Sequence, residues 1–291
     1  LVFGSFLVGT SNGSANDIGR YYWDGGNLKE LLREGDTPSE TGGEFFFPSD
    51  DPIGPFLSIN NDGCVVAATS IRDSDIGSVA GIFLSKPESS NLEAVIYDEQ
   101  REPFGGSPLE SGDRFRHISG DGFVPNFGPD NRAYFIAHID DANGSGFYPA
   151  LYRTDCEGTL TRLLISGDMV EGYEFHDFQN EKVFPSTDGS VLVEAQLRSP
   201  GDTRTRFALI MIHSSGDRTI LVMDGTATPD RLGTFLSAAS QSVYNRLPDG
   251  RGLFRAAYRT FLGNIHRGTF VIGADSQVFE MEFSKEGLIL E

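Results

Sequence analysis

The chain has 291 residues, of which 38% are hydrophobic, so it can form one large all-β domain or two ordinary domains with a sizeable core. Its formal net charge of −19 disfavours a nucleic-acid partner, because like charges would repel the phosphate backbone. No apolar run approaches the roughly 18 residues of a membrane-spanning helix. Two cysteines are too few for a disulfide scaffold or a zinc site, and the sequence leaves open whether Cys64 and Cys156 pair.

The N-terminal part of the chain predicts three short strands, at residues 1–3, 19–23 and 28–33, with a hairpin turn at Asp24-Gly25-Gly26. Tyr22 and Trp23 end the second of these strands. Their rings could stack on a sugar, but we expect them to pack in the core.

A turn that leads into a β-strand then recurs through the chain. Its glycine-like position is filled by Gly63, Asn131, Gly189 and Gly250, at steps of 68, 58 and 61 residues. An aspartate precedes this position each time: Asp62, Asp130, Asp188 and Asp249. Glycine and asparagine tolerate a positive φ, and aspartate can accept a hydrogen bond from the following backbone, so the pair predicts a turn.

Each turn is followed by an apolar strand with small residues, then by two more short strands joined by a polar turn. A further strand precedes each turn and is marked by Phe47, Phe115, Phe175 and Phe235. About sixty residues and four antiparallel strands are the repeat of a β-propeller blade.

We therefore predict an all-β protein, a single β-propeller domain over residues 1–291. We expect five four-stranded blades at about 1–44, 45–112, 113–172, 173–232 and 233–291. The apolar segment 287–290 would complete the first blade and close the ring. Two alternatives stay open: the chain could be cut from a longer propeller or array, or its last strand could complete a neighbouring molecule.

The pattern Asn60-x-x-Gly63-x-x-Val66-Ala67 resembles the Asn-x-x-Gly-x-x-Ala-Phe tandem repeat of secreted bacterial propeller proteins of the choice-of-anchor type. The other copies depart from it: the asparagine is kept only at Asn60, with Gly128, Ser186 and Leu247 at that position elsewhere, and the phenylalanine is kept at Phe135 and Phe254 alone. The resemblance implies a secreted or cell-surface propeller, but it implies no fixed catalytic residue.

Four residues, each nine positions beyond the glycine-like position, are the candidate binding residues: Arg72, Asp140, Arg198 and Arg259. Equivalent positions on successive blades could ring one mouth of the central channel. Arginines there would favour carboxylates or sulfates, as on an acidic polysaccharide. The alternative is a solvated rim whose charges pair with the nearby Asp73, Asp75, Asp141 and Asp202.

The sequence contains no nucleophile elbow, phosphate-binding loop or zinc-protease motif. The five histidines do not cluster, although His138 lies near the end of a predicted first strand. No cofactor is expected, except that Asp73-x-Asp75 and Asp140-Asp141-x-Asn143 offer oxygen ligands for Ca²⁺. Asn12 and Asn143 begin glycosylation acceptor patterns.

These observations favour an acidic, secreted or cell-surface propeller that binds a protein or polysaccharide partner at one face, with no nucleic acid and no membrane-spanning segment. A structural subunit joined to its neighbours by strand exchange is the first alternative. A propeller-type glycosidase or polysaccharide lyase is the second, and it needs two carboxylates within reach of one sugar linkage.

Overall fold

A computed structural model describes residues 2–6, 18–23, 25–38, 41, 43–46, 56–73, 77–87, 89, 91–98, 113–116, 125–141, 146–229, 233–246, 251–273, 277–284 and 287–290. Every regular element among them is a β-strand, which confirms the all-β prediction. Over these residues, no helix has the length and hydropathy to cross a membrane. The strands form antiparallel sheets of neighbours in the chain, as the repeat predicts.

The chain packs as two compact units, one formed by Leu1–Phe127 with Asn131–Arg162 and the other by Gly128–Asp130 with Leu163–Glu291. The prediction of one domain over residues 1–291 stays a prediction.

The first sheet, in the first unit, has the order β1-β2-β3. Its strands are β1 (Val2–Phe6), β2 (Ile18–Trp23) and β3 (Leu28–Arg33). The second sheet has the order β4-β6-β7-β8, with β5 also on β6. Its strands are β4 (Glu44–Phe46), β5 (Phe56–Ile59), β6 (Val65–Asp73), β7 (Gly77–Ser85) and β8 (Glu93–Tyr97).

The third sheet has the order β10-β11-β12-β13, with β9 also on β11. Its strands are β9 (Arg114–Arg116), β10 (Asn126–Phe127), β11 (Ala133–Asp140), β12 (Phe147–Thr154) and β13 (Leu160–Ile165).

The fourth and fifth sheets, in the second unit, each follow chain order. The fourth contains β14 (Met169–Val170), β15 (Tyr173–Pro185), β16 (Val191–Arg198), β17 (Thr205–Ile212) and β18 (Arg218–Met223). The fifth contains β19 (Gly233–Arg246), β20 (Gly252–Thr260), β21 (Ile265–Ile272), β22 (Val278–Ser284) and β23 (Gly287–Leu290).

The recurring turn adopts the predicted backbone conformation. The φ angles are +85° at Gly63, +61° at Asn131 and +77° at Gly189, all in the left-handed region. Gly250 lies outside the described residues. A left-handed residue is needed here because the chain reverses within a few residues before it enters β6, β11 and β16.

The phenylalanine that marks the strand before each turn is buried against the strand that follows the turn. Phe115, Phe175 and Phe235 are at most 2% exposed and pair with β11, β16 and β20, respectively. In the second sheet the equivalent residue is Phe45, which is 4% exposed and pairs with Ile71 of β6. Phe47, the residue predicted as the marker, lies outside the described residues.

The C-terminal strand does not complete the first sheet. Gly287–Leu290 pairs antiparallel with β22 of the fifth sheet, from Ser284↔Gly287 to Met281↔Leu290. The first sheet has three strands in the described part of the chain, so this prediction was wrong. Pairing with β22 closes a loop of only two residues, and the entropy lost in closing a loop rises with its length.

Each unit has a core of its own. In the first unit, Leu32 of β3 packs with Phe45, Ala67 and Phe83 of the second sheet, all at most 4% exposed. In the second unit, the fourth and fifth sheets share a buried cluster that includes Leu192, Met211, Phe254 and Phe270. Burial of each such side chain contributes roughly 1.5–3 kcal/mol.

One aromatic residue expected in the core is on the surface. Trp23, opposite Leu28 at the end of the β2–β3 hairpin, has 47% of its surface exposed, so that expectation was wrong.

Candidate functional site

The four predicted binding residues occupy one register position, near the end of the strand that follows each turn. Each pairs with the strand that carries the marker phenylalanine: Glu44↔Arg72, Arg114↔Asp140, Glu174↔Arg198 and Thr234↔Arg259. Three of these pairs combine an acid with an arginine, and the third sheet reverses their positions. Opposite charges directly across two strands attract each other, so charged residues at this position also stabilise the pairing of the two strands.

Arg72 lies against an aromatic ring in the second sheet. Its guanidinium carbon is 3.8 Å from the ring centroid of Phe46. Phe46 lies on β4, two residues after Glu44, the cross-strand neighbour of Arg72. The Arg72 side chain is exposed, and a cation over a ring at an exposed site contributes about 0.5–1 kcal/mol. Stacking fixes the position of the guanidinium group at the sheet end.

Asp140 accepts hydrogen bonds from two arginines of β9. Its Oδ2 atom is 2.9 Å from Nη1 of Arg116 and 3.3 Å from Nη2 of Arg114. The arginine side chains are 42% and 39% exposed, while that of Asp140 is 22% exposed. Two guanidinium groups and one carboxylate therefore lie together at an accessible sheet end.

Two aromatic groups lie beside this ion cluster. Phe147 is the partner of Asp140 on β12, and its side chain is 59% exposed. The imidazole of His138 contacts the Phe147 ring edge-on, with the centroids 5.3 Å apart. We call Arg114, Arg116, Asp140, His138 and Phe147 the third-sheet cluster.

A second carboxylate near this cluster has a different environment. Asp113 is 5% exposed and accepts a hydrogen bond from the hydroxyl group of Tyr148. Tyr148 pairs with Ile139, whose side chain lies on the opposite face of the sheet from that of Asp140. The two carboxylates therefore belong to different faces of the third sheet.

In the second unit, Arg198 donates a hydrogen bond to Glu174 across the strand pair. This hydrogen bond lowers the pKa of the Glu174 carboxyl below its ordinary value. Arg259 is exposed and faces Thr234 on one side and Ile265 on the other. Within the described residues, none of the four predicted binding residues is bonded to another of them, so their proposed common site stays a prediction.

One predicted acidic partner is replaced by another carboxylate: Glu174, not Asp202, binds Arg198. Asp202 instead accepts a hydrogen bond from the backbone of Arg204. Asp75 lies outside the described residues.

No group of three or more His, Cys, Asp or Glu side chains that could hold a metal ion occurs among the residues that the structure describes. At one expected calcium position, the Asp140 carboxylate is engaged by two arginines, and Asn143 lies outside the described residues. At the other expected calcium position, Asp75 lies outside the described residues. Asn12, a predicted glycosylation acceptor, lies outside them as well.

The turn before β6 is bonded to the third sheet. Cys64 and Cys156 form a disulfide with a Cα–Cα distance of 6.0 Å, which joins this turn to the β12–β13 hairpin. Oδ1 of Asn60 accepts hydrogen bonds from the backbone N–H groups of Asp62 and Cys64, and its Nδ2 lies 3.2 Å from Sγ of Cys156. The first residue of the recurring motif thus positions one cysteine of the disulfide.

Sequence reasoning found Asp140 but missed Arg114, Arg116 and Phe147. The signal for the arginines was available: they flank the marker residue Phe115, and alternate residues of a strand share a face. The signal for Phe147 was weaker, because its exposure depends on the neighbouring strands.

No protein-family model and no curated protein matches the chain. Among solved structures, it is similar to a protein of unknown function from Dyadobacter fermentans, with 15% identity over 89% of this chain and 68% of that one, at a TM-score of 0.37. An endo-arabinase from Bacteroides thetaiotaomicron is 13% identical over 85% of this chain and 82% of that one, at a TM-score of 0.35. An α-L-arabinanase from Penicillium chrysogenum is 11% identical over 94% of this chain and 85% of that one, at a TM-score of 0.33. Similarity at this level assigns neither family nor substrate.

Proposed function

We propose that the chain is an extracellular or cell-surface β-propeller that acts as a binding module for a protein or polysaccharide partner. The third-sheet cluster is the observation that carries this proposal. Five antiparallel sheets follow one another along the chain, three-stranded in the first case and five-stranded in the others, and this succession of separate sheets supports the propeller.

The disulfide supports the proposed extracellular or cell-surface location of the protein. Disulfides form and persist in secreted and cell-surface proteins, whereas the cytosol keeps thiols reduced. Both cysteines of the chain are used in the Cys64–Cys156 bond.

The third-sheet cluster has the properties of a site for a polar ligand. Arg114 and Arg116 are held in position by Asp140, so little side-chain entropy remains to be lost on binding. Guanidinium groups form paired hydrogen bonds with carboxylates and sulfates. The exposed ring of Phe147 adds an apolar surface next to these donors.

The proposal is tested by binding to immobilised arabinan, polygalacturonate and dextran sulfate. We expect at least one polysaccharide to bind, and we expect Arg116→Ala and Phe147→Ala each to weaken that binding about tenfold, the effect of losing roughly 1.4 kcal/mol. Arg162→Ala is the matched control, because this arginine is exposed on β13 of the same sheet, outside the cluster.

Binding that both cluster variants retain in full would contradict a role for the third-sheet cluster, and no binding to any of the three would contradict the polysaccharide form of the proposal. The same samples are assayed for released reducing sugar. Release that depends on Asp140 would replace the binding module with the glycosidase alternative.

A further inference from the structure

The β20–β21 hairpin is basic in an otherwise acidic protein. Residues 250–274 contain four arginines and no aspartate or glutamate, although the whole chain has 42 acidic residues and a net charge of −19. The basic side chains are all arginine or histidine, with no lysine. Arginine is the cation that binds a carboxylate through two parallel hydrogen bonds.

The strand register places three of these arginines on one face of the fifth sheet. Arg255 and Arg259 are four residues apart on β20, and Arg267 lies opposite Ala257, midway between them on β21. The spacing of residues along a strand separates Arg255 and Arg259 by about 14 Å. Arg267 lies about 5 Å from Ala257 on the next strand, and so about 8 Å from each of the two other arginines. We call these three residues the basic face.

The basic face is accessible, and the other face of the sheet is not. Arg255, Arg259 and Arg267 are exposed, whereas Phe254 and Phe270, which alternate with them, are at most 1% exposed and belong to the core of the second unit. In the described part of the chain, neither Arg259 nor Arg267 forms an ion pair with a carboxylate.

Exposed apolar residues border this face. Phe261 and Leu262 at the hairpin tip are 78% and 89% exposed, and Ile265, opposite Arg259, is 64% exposed. An aromatic ring beside guanidinium groups offers a sugar both an apolar surface and charged donors.

We propose that the basic face binds a linear polysaccharide whose sugars carry carboxylates, with Arg259 and Arg267 pairing with carboxylates along the polymer and Phe261 packing on a sugar ring. Charge complementarity selects this ligand, because a hairpin with four arginines and no acidic residue, on a protein of net charge −19, attracts an anion locally while the rest of the molecule repels it. The inference rests on the proposed binding function and assigns it a second surface, separate from the third-sheet cluster.

The test is titration calorimetry with polygalacturonate and with its fully methyl-esterified form, which has the same backbone without the charges. We expect only the acid form to bind, and Arg259→Gln with Arg267→Gln to weaken binding at least about a hundredfold, tenfold for each charge-assisted pair. Arg162→Gln with Arg204→Gln is the control, since it removes two exposed arginines elsewhere and changes the net charge equally. Thermal unfolding of both double variants shows whether they are folded.

Arg267→Lys separates geometry from charge, because lysine keeps the charge without the planar fork. Tenfold weaker binding by Arg267→Lys supports recognition of carboxylates. The inference would be overturned by full affinity in this variant, by binding of the methyl ester as strong as that of polygalacturonate, or by dextran sulfate competing as well as polygalacturonate does.

Two further results bear on the basic face. Polygalacturonate binding that is weakened only in Arg116→Ala and Phe147→Ala, and not in the fifth-sheet variant, would overturn the inference and leave the proposed function standing. A mass in solution that falls from dimer to monomer in the fifth-sheet variant would show that the basic face binds a second copy of the chain, and would overturn the inference.

Discussion

The Cys64–Cys156 disulfide is expected to supply a large share of the stability of the first unit. The bond closes a loop across a sequence separation of 92 residues. Loss of chain entropy from the unfolded state would then contribute about 4.6 kcal/mol. Typical domains have a free energy of unfolding of about 5–15 kcal/mol, so the bond matters for whether this unit is folded.

Urea unfolding followed by tryptophan fluorescence tests this prediction, because Trp23 is the one tryptophan of the chain and lies in the same unit as the disulfide. With a slope of about 2 kcal/mol per molar urea, Cys64→Ala with Cys156→Ala should lower the midpoint by about 2 M. Wild-type protein unfolded and refolded under reducing conditions should show the same loss, and the double variant should not respond to reductant. A reduced wild type within 1 kcal/mol of the oxidised protein would refute the reasoning.

Three further predictions concern single residues. Gly63→Ala, at a φ of +85°, should cost about 1–2 kcal/mol in the same urea assay, and an unchanged midpoint would contradict the left-handed turn. Glu174→Gln should lower the free energy of unfolding by less than about 1 kcal/mol at pH 7, because the ion pair with Arg198 is half-exposed. The folded-state pKa of Glu174 is lowered, so its contribution is present above the ordinary value of 4.5 and disappears as the pH falls through the lowered pKa. Thermal melts of variant and wild type should therefore converge as the pH falls below the lowered pKa of Glu174, and a constant difference would argue against the pair. Phe254→Ala should cost about 3–5 kcal/mol and Phe261→Ser less than about 0.5 kcal/mol, measured by denaturant titration, because their exposed fractions are 1% and 78%. Similar costs at both positions would contradict the assigned burial.

The sequence predicted the parts of the candidate site that depend on local pattern. Asp140 was found by counting nine positions from Asn131, and this count works because both residues belong to one turn and strand. Its arginine partners come from β9, which precedes β11 by about twenty residues, so a count along one turn and strand does not reach them. The carboxylate therefore looked like a rim charge in the sequence, and in the structure it is bonded to two arginines.

The sequence by itself determined the all-β class, the left-handed turns at Gly63, Asn131 and Gly189, and the antiparallel pairing of the consecutive strands that follow each turn. These features follow from φ preferences and from the alternation of apolar residues, which act over a few positions of the chain. Only the tertiary structure decided that Cys64 pairs with Cys156 and that the last strand joins β22 rather than β1. The two cysteines are 92 residues apart, so their pairing depends on which turns meet in space and has no local signal. The last strand follows β22 closely in the chain, and the low entropy cost of closing that short loop favours this pairing over one with the distant β1.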